Sequence, residues 1–327
     1  MFETVKITFL GTSSGTPTRL RNVTAQALTF DNGALWLLDC GEATQHQVMK
    51  AGLKAGRIER ILITHLHGDH CYGLPGMLAC MGIQGRSDPV QIVGPVGIRE
   101  MIETVLRLSD HVPTFPIDWV EVDGHRSLAA MSHWSVSSHA IRHRVTCYGF
   151  VLRESPRPGR FHPERAMTLG IPEGPLYRQL QNDQPVTLAD GRTIVPAEVC
   201  DPPRPGRKVV LLGDTQDASG IADAAHSCDL LVHEATYEAE RTAKAEQWGH
   251  STSAMAGAFA KRVAAKHLII THFSSRYTDN EAERNVGQLL AEAQAECPST
   301  VVHAADDLWS FAVPFSEPQG AGISTSG

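Results

Sequence analysis

The sequence predicts an α/β fold in which two β-sheets pack face to face with helices on the outside. Strand-like apolar runs precede helical segments in two successive halves of the chain, an order typical of a layered α/β domain. The 327 residues are 42% hydrophobic and 20% charged, which is sufficient for a sizeable core. No repeat of short fixed period occurs, which argues against a solenoid or propeller.

The first half of the chain begins with three short apolar runs, and the turn Asp31-Asn32-Gly33 joins the second to the third. A buried run at 60–64 then leads directly into His65. The predicted strands of this half are 5–10, 25–30, 35–39, 60–64, 90–93, 117–122, 132–138 and 147–152, and the predicted helices are 42–52 and 94–109.

Residues 153–207 are dense in Pro, Gly, Arg and Asp and interrupt this pattern. We interpret about 153–200 as an inserted flexible arm, with short helices at 164–170 and 175–181. The predicted strands beyond the arm are 208–213, 230–232, 268–271, 300–304 and 309–313, and the predicted helices are 251–265 and 280–296. We therefore expect a single domain over 1–314 that carries the arm, and a disordered Ser/Gly-rich tail at 315–327.

The totals argue against several classes of protein. The N-terminus lacks a basic segment followed by an apolar one, and no run of 18 apolar residues occurs, so we expect neither a signal peptide nor a membrane span. Seven cysteines without a C-x-x-C pair favour reduced thiols and a cytoplasmic location. Because the net charge is −7, any nucleic-acid partner must bind a local basic patch.

The run His65-Leu66-His67-Gly68-Asp69-His70 carries most of the functional information. It places three imidazoles and a carboxylate within six residues, directly after a buried strand. These groups are ligands suited to zinc, manganese or iron. Since one ion takes three or four of them, the run predicts two ions, each completed from elsewhere in the chain. The alternative is a chance histidine-rich loop on a solvated face.

Further candidate ligands lie beside later strands. His143 precedes the run 147–152, Asp214 ends VVLLGD, and His272 ends LIITH. An unpaired polar residue next to a buried apolar run is costly. Each of the three alone is more often a structural hydrogen-bonding group. Together with the cluster they form two sets of ligands, and Asp214 is able to bridge the ions.

Additional short motifs are spread over about residues 3–313. They are Phe9-Leu10-Gly11-Thr12, Arg21-Asn22 after Pro17, Asp39-Cys40-Gly41-Glu42-Ala43-Thr44-Gln45, His233-Glu234-Ala235-Thr236, Gly249-His250-Ser251-Thr252 and His272-Phe273-Ser274-Ser275-Arg276-Tyr277. With the candidate ligands, they resemble the metallo-β-lactamase superfamily and, within it, the ribonuclease Z branch of tRNA 3′-processing endonucleases. The chain departs from that branch at Ala43, where Gly is common, and at Arg19, where Lys is common, and both residues keep the local chemistry.

The resemblance implies a metallo-β-lactamase αββα sandwich that holds two Zn²⁺ per chain, although Mn²⁺ or another divalent ion would also suit the ligands. His65, His67 and His143 would hold one ion. Asp69, His70 and His272 would hold the other, with Asp214 between the two.

The implied function is that of a zinc-dependent endoribonuclease, which removes the 3′ trailer of precursor tRNA by cutting on the 3′ side of the discriminator region. Asp69, His250 and Glu234 are the candidate catalytic residues. His250 would protonate the leaving 3′ oxygen, and Glu234 would hold its ring. Alternatively, Glu234 is a buried partner of a backbone amide and His250 flanks the start of a helix at Ser251.

Basic and glycine-rich segments are candidates for RNA contact. The arm carries arginines with few acids nearby, and its segment 169–177 is similar to the tRNA-grasping arm of ribonuclease Z. The alternative for the arm is a solvated loop. The resemblance also implies a homodimer. The candidate substrate-binding residues are Arg19, Arg21, Arg276, Gly174 and Pro175.

Three other interpretations are open. The segment 11–15 matches the G-x-S-x-G motif of serine hydrolases, but Pro17 and an irregular stretch follow where that motif needs a helix. A hydrolase of this fold that acts on small phosphodiesters or esters would need neither the arm nor its arginines. A binding protein with an inactive site would not need the complete set of ligands.

Overall fold

The computed structural model describes residues 5–131, 133–277 and 285–315. The chain divides into two compact units. The first comprises Met1–Ala130, Ser135–Leu152 and Lys208–Pro314, and the second comprises Met131–Trp134, Arg153–Arg207 and Phe315–Gly327. The arm predicted at about 153–200 falls within the second unit. The predicted tail lies outside the described residues from residue 316 onward.

The strands of both units follow one another in chain order. They are β1 (Lys6–Gly11), β2 (Ser13–Ser14), β3 (Ala25–Thr29), β4 (Leu35–Leu38), β5 (Ile58–Leu62), β6 (Val90–Pro95), β7 (Ile117–Val122), β8 (Arg126–Met131), β9 (Trp134–Ile141), β10 (Cys147–Glu154), β11 (Val186–Thr187), β12 (Thr193–Ile194), β13 (Lys208–Leu211), β14 (Leu230–Glu234), β15 (His267–Thr271), β16 (Phe273–Ser274), β17 (Val301–Ala304) and β18 (Ser310–Ala312).

The α-helices lie mainly between the parallel strands. They are α1 (Thr44–Lys50), α2 (Gly68–Cys71), α3 (Leu74–Ile83), α4 (Ile98–Leu108), α5 (Pro163–Thr168), α6 (Pro175–Gln181), α7 (Ala222–Ala225), α8 (Thr242–Trp248), α9 (Ser253–Arg262) and α10 (Val286–Glu296).

Two seven-stranded sheets form the first unit, as the sequence predicts. One has the order β18-β1-β3-β4-β5-β6-β7, and the other has the order β17-β15-β14-β13-β10-β9-β8. Strands β4 to β7 run parallel to one another, as do β13, β14, β15 and β17. The carboxyl ends of parallel strands share one edge of a sheet. Side chains that follow these strands are thereby brought together.

Apolar helix faces cover the outer surfaces of the sheets. Leu74, Met77 and Leu78 of α3 are buried in one cluster with Ile61 and Ile92 of the first sheet. Phe259 of α9 and Leu289 of α10 belong to a second cluster on the other sheet. Among the described residues, no helix is both long enough and apolar enough to cross a membrane.

The second unit has a small apolar core of its own. Helices α5 and α6 and the hairpin of β11 and β12 surround it. The buried members of this core are Ala166, Ile171, Leu180, Val186, Ile194 and Val199. At the base of the unit, Arg207 makes two hydrogen bonds of 2.8 Å to the carboxylate of Glu154. The composition of the arm, rich in Pro and Gly, did not predict this core.

Several elements differ from those predicted. Helix α3 was not predicted, and its Gly76 and Gly82 are unfavourable within helices, whereas Pro75 stands in the first turn, where proline is tolerated. Helix α8 and strand β8 were not predicted either. Helix α4 begins four residues later than predicted, since β6 extends through Pro95. Residue 132 of the predicted strand 132–138 and residues 280–284 of the predicted helix 280–296 lie outside the described residues.

The metal motif is attached to the sheet by a close backbone contact. A Cβ atom built on Gly73 would lie 1.9 Å from the carbonyl oxygen of Gly41, and one built on Gly41 would lie 2.3 Å from that of Asp69. The amide of Gly73 also donates to the carbonyl of Cys40 at 2.9 Å. Only glycine allows the segment that follows His70 to lie this close to the end of β4.

We expect Gly73→Ala to lower the free energy of unfolding by about 3 kcal/mol or more, because backbone atoms must move to admit the methyl group. Gly76→Ala is the matched control. Its nearest obstacle is the side-chain amide of Gln45 at 3.3 Å, and alanine is the better helix former, by up to about 1 kcal/mol. Denaturant titration of both variants measures the difference. Equal stability of the two would contradict the close-contact argument.

Candidate metal centre

The candidate ligands lie where strands of the two sheets end. His65 follows β5, His143 follows β9, Asp214 follows β13 and His272 follows β15. The backbone of His272 has φ 60°, a left-handed conformation that is uncommon for residues other than glycine. Helix α2, which begins directly after His67, contributes Asp69 and His70. The structure brings together all seven side chains that the sequence proposed as ligands.

The first group consists of His65, His67, His143 and Asp214. Nδ1 of His67 lies 3.0 Å from Nε2 of His65 and 3.2 Å from Nε2 of His143. Donor atoms arranged tetrahedrally around zinc, each at about 2.0–2.1 Å, lie about 3.3–3.4 Å from one another. The spacing therefore suits a shared ion.

Hydrogen bonds on the outer nitrogens turn these rings inward. Nδ1 of His143 donates to the carbonyl of Gly249 at 2.6 Å, which leaves Nε2 as a bare acceptor. Burial lowers the pKa of His65, His67 and His143, so the rings are neutral at pH 7. A neutral imidazole keeps one ring nitrogen free to bind a cation, and in His143 that nitrogen is Nε2.

The second group consists of Asp69, His70 and His272. Nε2 of His70 lies 3.3 Å from Nε2 of His272 and 3.5 Å from Oδ2 of Asp69. The amide of Gly15 donates to the same Asp69 oxygen at 2.8 Å. The glycine-rich loop that matches G-x-S-x-G thus reaches the metal motif. Ser13 of this loop is buried, and its hydroxyl donates to the carbonyl of Thr16. The Ser13 hydroxyl is therefore not positioned to attack a substrate as a nucleophile.

Asp214 faces both groups with different oxygens. Its Oδ1 lies 3.4 Å from Nε2 of both His70 and His272. Its Oδ2 lies 3.8 Å from Nε2 of His65. This arrangement suits a carboxylate shared by two ions.

The balance of charge also fits divalent cations. Burial alone would lower the pKa of His70, but the carboxylates of Asp214, Asp39 and Asp69 outweigh it and raise the pKa well above its usual value. Three carboxylates around one imidazole, of which Asp39 and Asp214 are buried, therefore form a pocket that attracts positive charge. Bound divalent ions would supply that charge and leave His70 neutral as a ligand.

Asp39 is a buried carboxylate to which the sequence reasoning gave no role. It accepts Nδ1–H of His70 at 2.8 Å and the hydroxyl of Thr64 at 3.0 Å, and that hydroxyl lies 3.0 Å from Nδ1 of His65. One carboxylate thus orients a histidine of each group. Asp39 ends the predicted strand 35–39, so the strand-end argument applied to Asp214 would have found it.

Glu234 and His250 form the expected pair. Nδ1 of His250 lies 3.0 Å from Oε1 of Glu234, which also accepts the amide of Thr215 at 2.8 Å. Burial alone would lower the pKa of His250, but Glu234 and Asp214 raise it to about 9. His250 is therefore protonated at neutral pH. From the sequence, a backbone amide and His250 were alternative partners for Glu234. In the structure, Glu234 makes hydrogen bonds to both.

Thr236 connects this pair to the second group. Its hydroxyl donates to the other oxygen of Glu234 and lies 3.0 Å from Nδ1 of His272. Since that hydroxyl proton points to Glu234, the Thr236 oxygen accepts the Nδ1–H of His272. The ring of His272 is thereby fixed with Nε2 toward the cluster. Thr236 belongs to the His-Glu-Ala-Thr motif, but the sequence did not predict its contacts with Glu234 and His272.

The candidate substrate arginines occupy different environments. Arg19 is exposed on the loop before β3. Arg276 is partly buried, with its guanidinium carbon 5.3 Å from the centre of the Tyr237 ring. Arg21, in contrast, is only 6% exposed. It donates to Thr12 Oγ1 at 2.7 Å and to the Ala305 carbonyl at 3.0 Å, so it supports the loop rather than presenting its charge to a substrate.

Asp307 supports the same loop and was also missed. Its carboxylate accepts the hydroxyl of Thr12 at 2.7 Å, the amide of Asn22 at 2.7 Å and the side-chain amide of Gln47 at 2.9 Å. Three separate segments are thus joined at one carboxylate. Nothing in the sequence near Asp307 indicates these contacts, because its partners are about 260 to 295 positions away.

The two-sheet α/β fold and the clustered His and Asp side chains define a metal-dependent hydrolase of the metallo-β-lactamase fold. The family described as anti-Pycsar protein Apyc1 matches residues 5–109. The chain is 43% identical to ribonuclease BN of Cronobacter sakazakii, over 90% of this chain and 96% of that protein. It is 44% identical to ribonuclease Z of a Cyanothece species, over 89% of this chain and 91% of that protein. The chain belongs to the ribonuclease Z family.

Solved structures agree with this assignment. The short form of human tRNase Z superposes with a TM-score of 0.68 at 30% identity, covering 95% of this chain and 100% of the human one. The metallo-β-lactamase fold protein YhfI of Bacillus subtilis, with a TM-score of 0.65 at 17% identity, covers 95% of this chain and 100% of its own. The latter likeness concerns the fold alone.

We expect Asp214→Ala to lose divalent metal from both groups, because Asp214 is the member that faces each of them. Metal analysis of the purified variant, beside the unchanged chain, measures the loss. Asp223→Ala is the matched control, since Asp223 is an exposed carboxylate of α7. Full metal content in Asp214→Ala would rule out the shared role.

Proposed function

We propose that this chain is a zinc-dependent endoribonuclease that cuts precursor tRNA on the 3′ side of the discriminator region and releases the 3′ trailer. The observation that carries the proposal is the position of His250, held 3.0 Å from Glu234 beside two candidate metal-binding groups that share Asp214. Such a site can cleave a phosphodiester whose leaving oxygen needs a proton. Membership of the ribonuclease Z family supports precursor tRNA as the substrate.

The proposed metal content is two Zn²⁺ per chain. His65, His67 and His143 would hold one ion, Asp69, His70 and His272 the other, and Asp214 would be shared. Bound by these residues, the two ions would supply water activation and stabilisation of negative charge on phosphate oxygens. The converging ring nitrogens of the first group and the three carboxylates around His70 support this assignment.

The residues of the chain provide the other steps. Asp69, held by the Gly15 amide, would orient the attacking water by a hydrogen bond as well as serve as a ligand. His250 would donate its proton to the leaving 3′ oxygen. Glu234 would keep the ring of His250 oriented and protonated through the 3.0 Å contact with Nδ1, so that Nε2–H is the proton that transfers.

The proposed substrate contacts are Arg19 and Arg276 near the centre and Gly174 and Pro175 on the arm. Gly174 and Pro175 are exposed where α6 begins, and Gly174 has φ 129°, a backbone conformation that favours glycine. Exposed arginines of the arm add positive charge, which suits RNA phosphates. They include Arg160, Arg165 and Arg178.

The proposal extends to the assembly and location of the enzyme. A homodimer and a cytoplasmic site of action are supported by family membership alone. The other candidate function is hydrolysis of small phosphodiesters. It would use the same metal centre but would not require the arm.

We expect His250→Ala to fold and retain metal while turnover of precursor tRNA falls roughly 10²–10⁴-fold, the effect of losing a general acid. Bis(p-nitrophenyl) phosphate should lose far less, because its leaving group departs without a proton. His46→Ala, at an exposed histidine of α1, is the control. Equal losses on both substrates would indicate that His250 is structural.

The arm provides the test between the two candidate substrates. Replacing about residues 155–182 with a short Gly/Ser linker should preserve metal content and hydrolysis of bis(p-nitrophenyl) phosphate. Binding of precursor tRNA should weaken strongly, and its dependence on salt should become shallower because fewer phosphates are neutralised. Binding isotherms at several salt concentrations measure both effects. Undiminished processing of precursor tRNA by the shortened chain would refute the role of the arm.

A further inference from the structure

An exposed tryptophan lies beside the candidate centre. Trp248 ends α8 and is 45% exposed, whereas Trp36 and Trp134 are buried. The guanidinium carbon of Arg144 lies 5.0 Å from the centre of its indole ring. Trp248 thus presents an aromatic face to solvent on the segment that also carries His250.

Backbone contacts place Trp248 and Arg144 next to His143 and His250 of the candidate centre. Gly249 and His250 directly follow Trp248, and the carbonyl of Gly249 accepts Nδ1–H of His143 at 2.6 Å. A Cβ atom on Gly249 would lie 2.9 Å from both His143 Nδ1 and Arg144 Cγ. The rings of His143 and His250 are 5.2 Å apart between centroids. The backbone that carries Trp248 and Arg144 is therefore held next to His143 and His250, and both side chains are exposed.

The chemistry of the pair suits an unpaired nucleotide. Bases of single-stranded RNA stack on aromatic rings and on guanidinium planes, and any base can do so because each has a π face. A guanidinium also pairs with phosphate oxygens. An indole and a guanidinium held together can thus bind the base and the phosphate of one nucleotide.

We propose that Trp248 and Arg144 form a stacking subsite for an unpaired base next to the scissile phosphate. The proposal rests on the proposed function, since it takes the substrate to be RNA with a single-stranded 3′ end. The base stacks on Trp248, and Arg144 pairs with the adjoining phosphate. Neither residue takes part in proton transfer, so the subsite acts on binding and on the position of the phosphodiester.

The first test compares Trp248→Ala with Trp248→Tyr on a 3′-extended precursor tRNA. We expect Trp248→Ala to lower kcat/KM about 5- to 150-fold, mainly through KM, as for the loss of one base–aromatic stack. Tyrosine keeps an aromatic face and should recover most of the loss. Bis(p-nitrophenyl) phosphate, which has no base, should be affected far less by either variant. A similar loss on both substrates, or none on precursor tRNA, would overturn the proposal.

The second test changes the RNA. Precursor tRNAs with an abasic residue on either side of the cleavage site should be poorer substrates for the unchanged chain. For one of the two positions, Trp248→Ala should show no further loss, because the stack is already absent. Additive losses at both positions would contradict the subsite.

A third measurement separates this proposal from the proposed function. A short single-stranded RNA should quench the fluorescence of Trp248, and the quenched component should be missing in Trp248→Tyr. Quenching by a chain that fails to cut precursor tRNA would support the subsite and reject the proposed function. Cleavage of precursor tRNA with equal quenching in both proteins would support the function and reject the subsite.

Discussion

The centre depends on one constraint: ring nitrogens and carboxylates that are unfavourable together without a cation are held close to one another. Ring nitrogens of His65, His67 and His143 face one another at 3.0–3.2 Å, and a carboxylate oxygen of Asp214 lies 3.8 Å from the ring of His65. Burial of such groups without compensating positive charge is strongly unfavourable. The fold tolerates the arrangement because the ends of strands in both sheets deliver His65, His143, Asp214 and His272. The resulting pocket is selective for divalent cations by charge and by ligand type.

Two further carboxylates give the centre its orientation. Asp39 holds His70 directly and His65 through Thr64, while Glu234 holds His250 directly and His272 through Thr236. Each carboxylate thus supports two rings, and each does so from the end of a buried strand. Outer hydrogen bonds of this kind fix the tautomer and the direction of ligand histidines. The functional side chains are therefore only half of the machinery, and the supporting carboxylates are the other half.

The sequence predicts the parts of this architecture whose determinants are local. Apolar runs that end in His or Asp predict the strands, and the compact His-x-His-x-Asp-His run predicts a metal cluster. Helix α3 was missed because Gly76 and Gly82 lower the local helix propensity, whereas burial of Leu74 and Met77 stabilises it in the folded chain. Arg21 was assigned to the substrate because a basic residue near the motifs suggests phosphate binding. Its actual partners, Thr12 and Ala305, come from distant segments that no local pattern connects.

Hydrogen bonds connect His272 through Thr236 and Glu234 to His250. They couple the binding of an ion at His272 to the protonation of His250, two equilibria that are usually treated separately. Binding of an ion at His272 alters the polarity of its ring, and that change reaches the carboxylate that sets the proton affinity of His250. Thermodynamic linkage requires the effect to be reciprocal, so protonation of His250 must alter the affinity for the ion by the same factor. The strength of the acid and the retention of the metal are consequently one shared property of this enzyme. A mutation in this series of hydrogen bonds that changes the proton affinity of His250 is therefore expected to change the affinity for the ion as well.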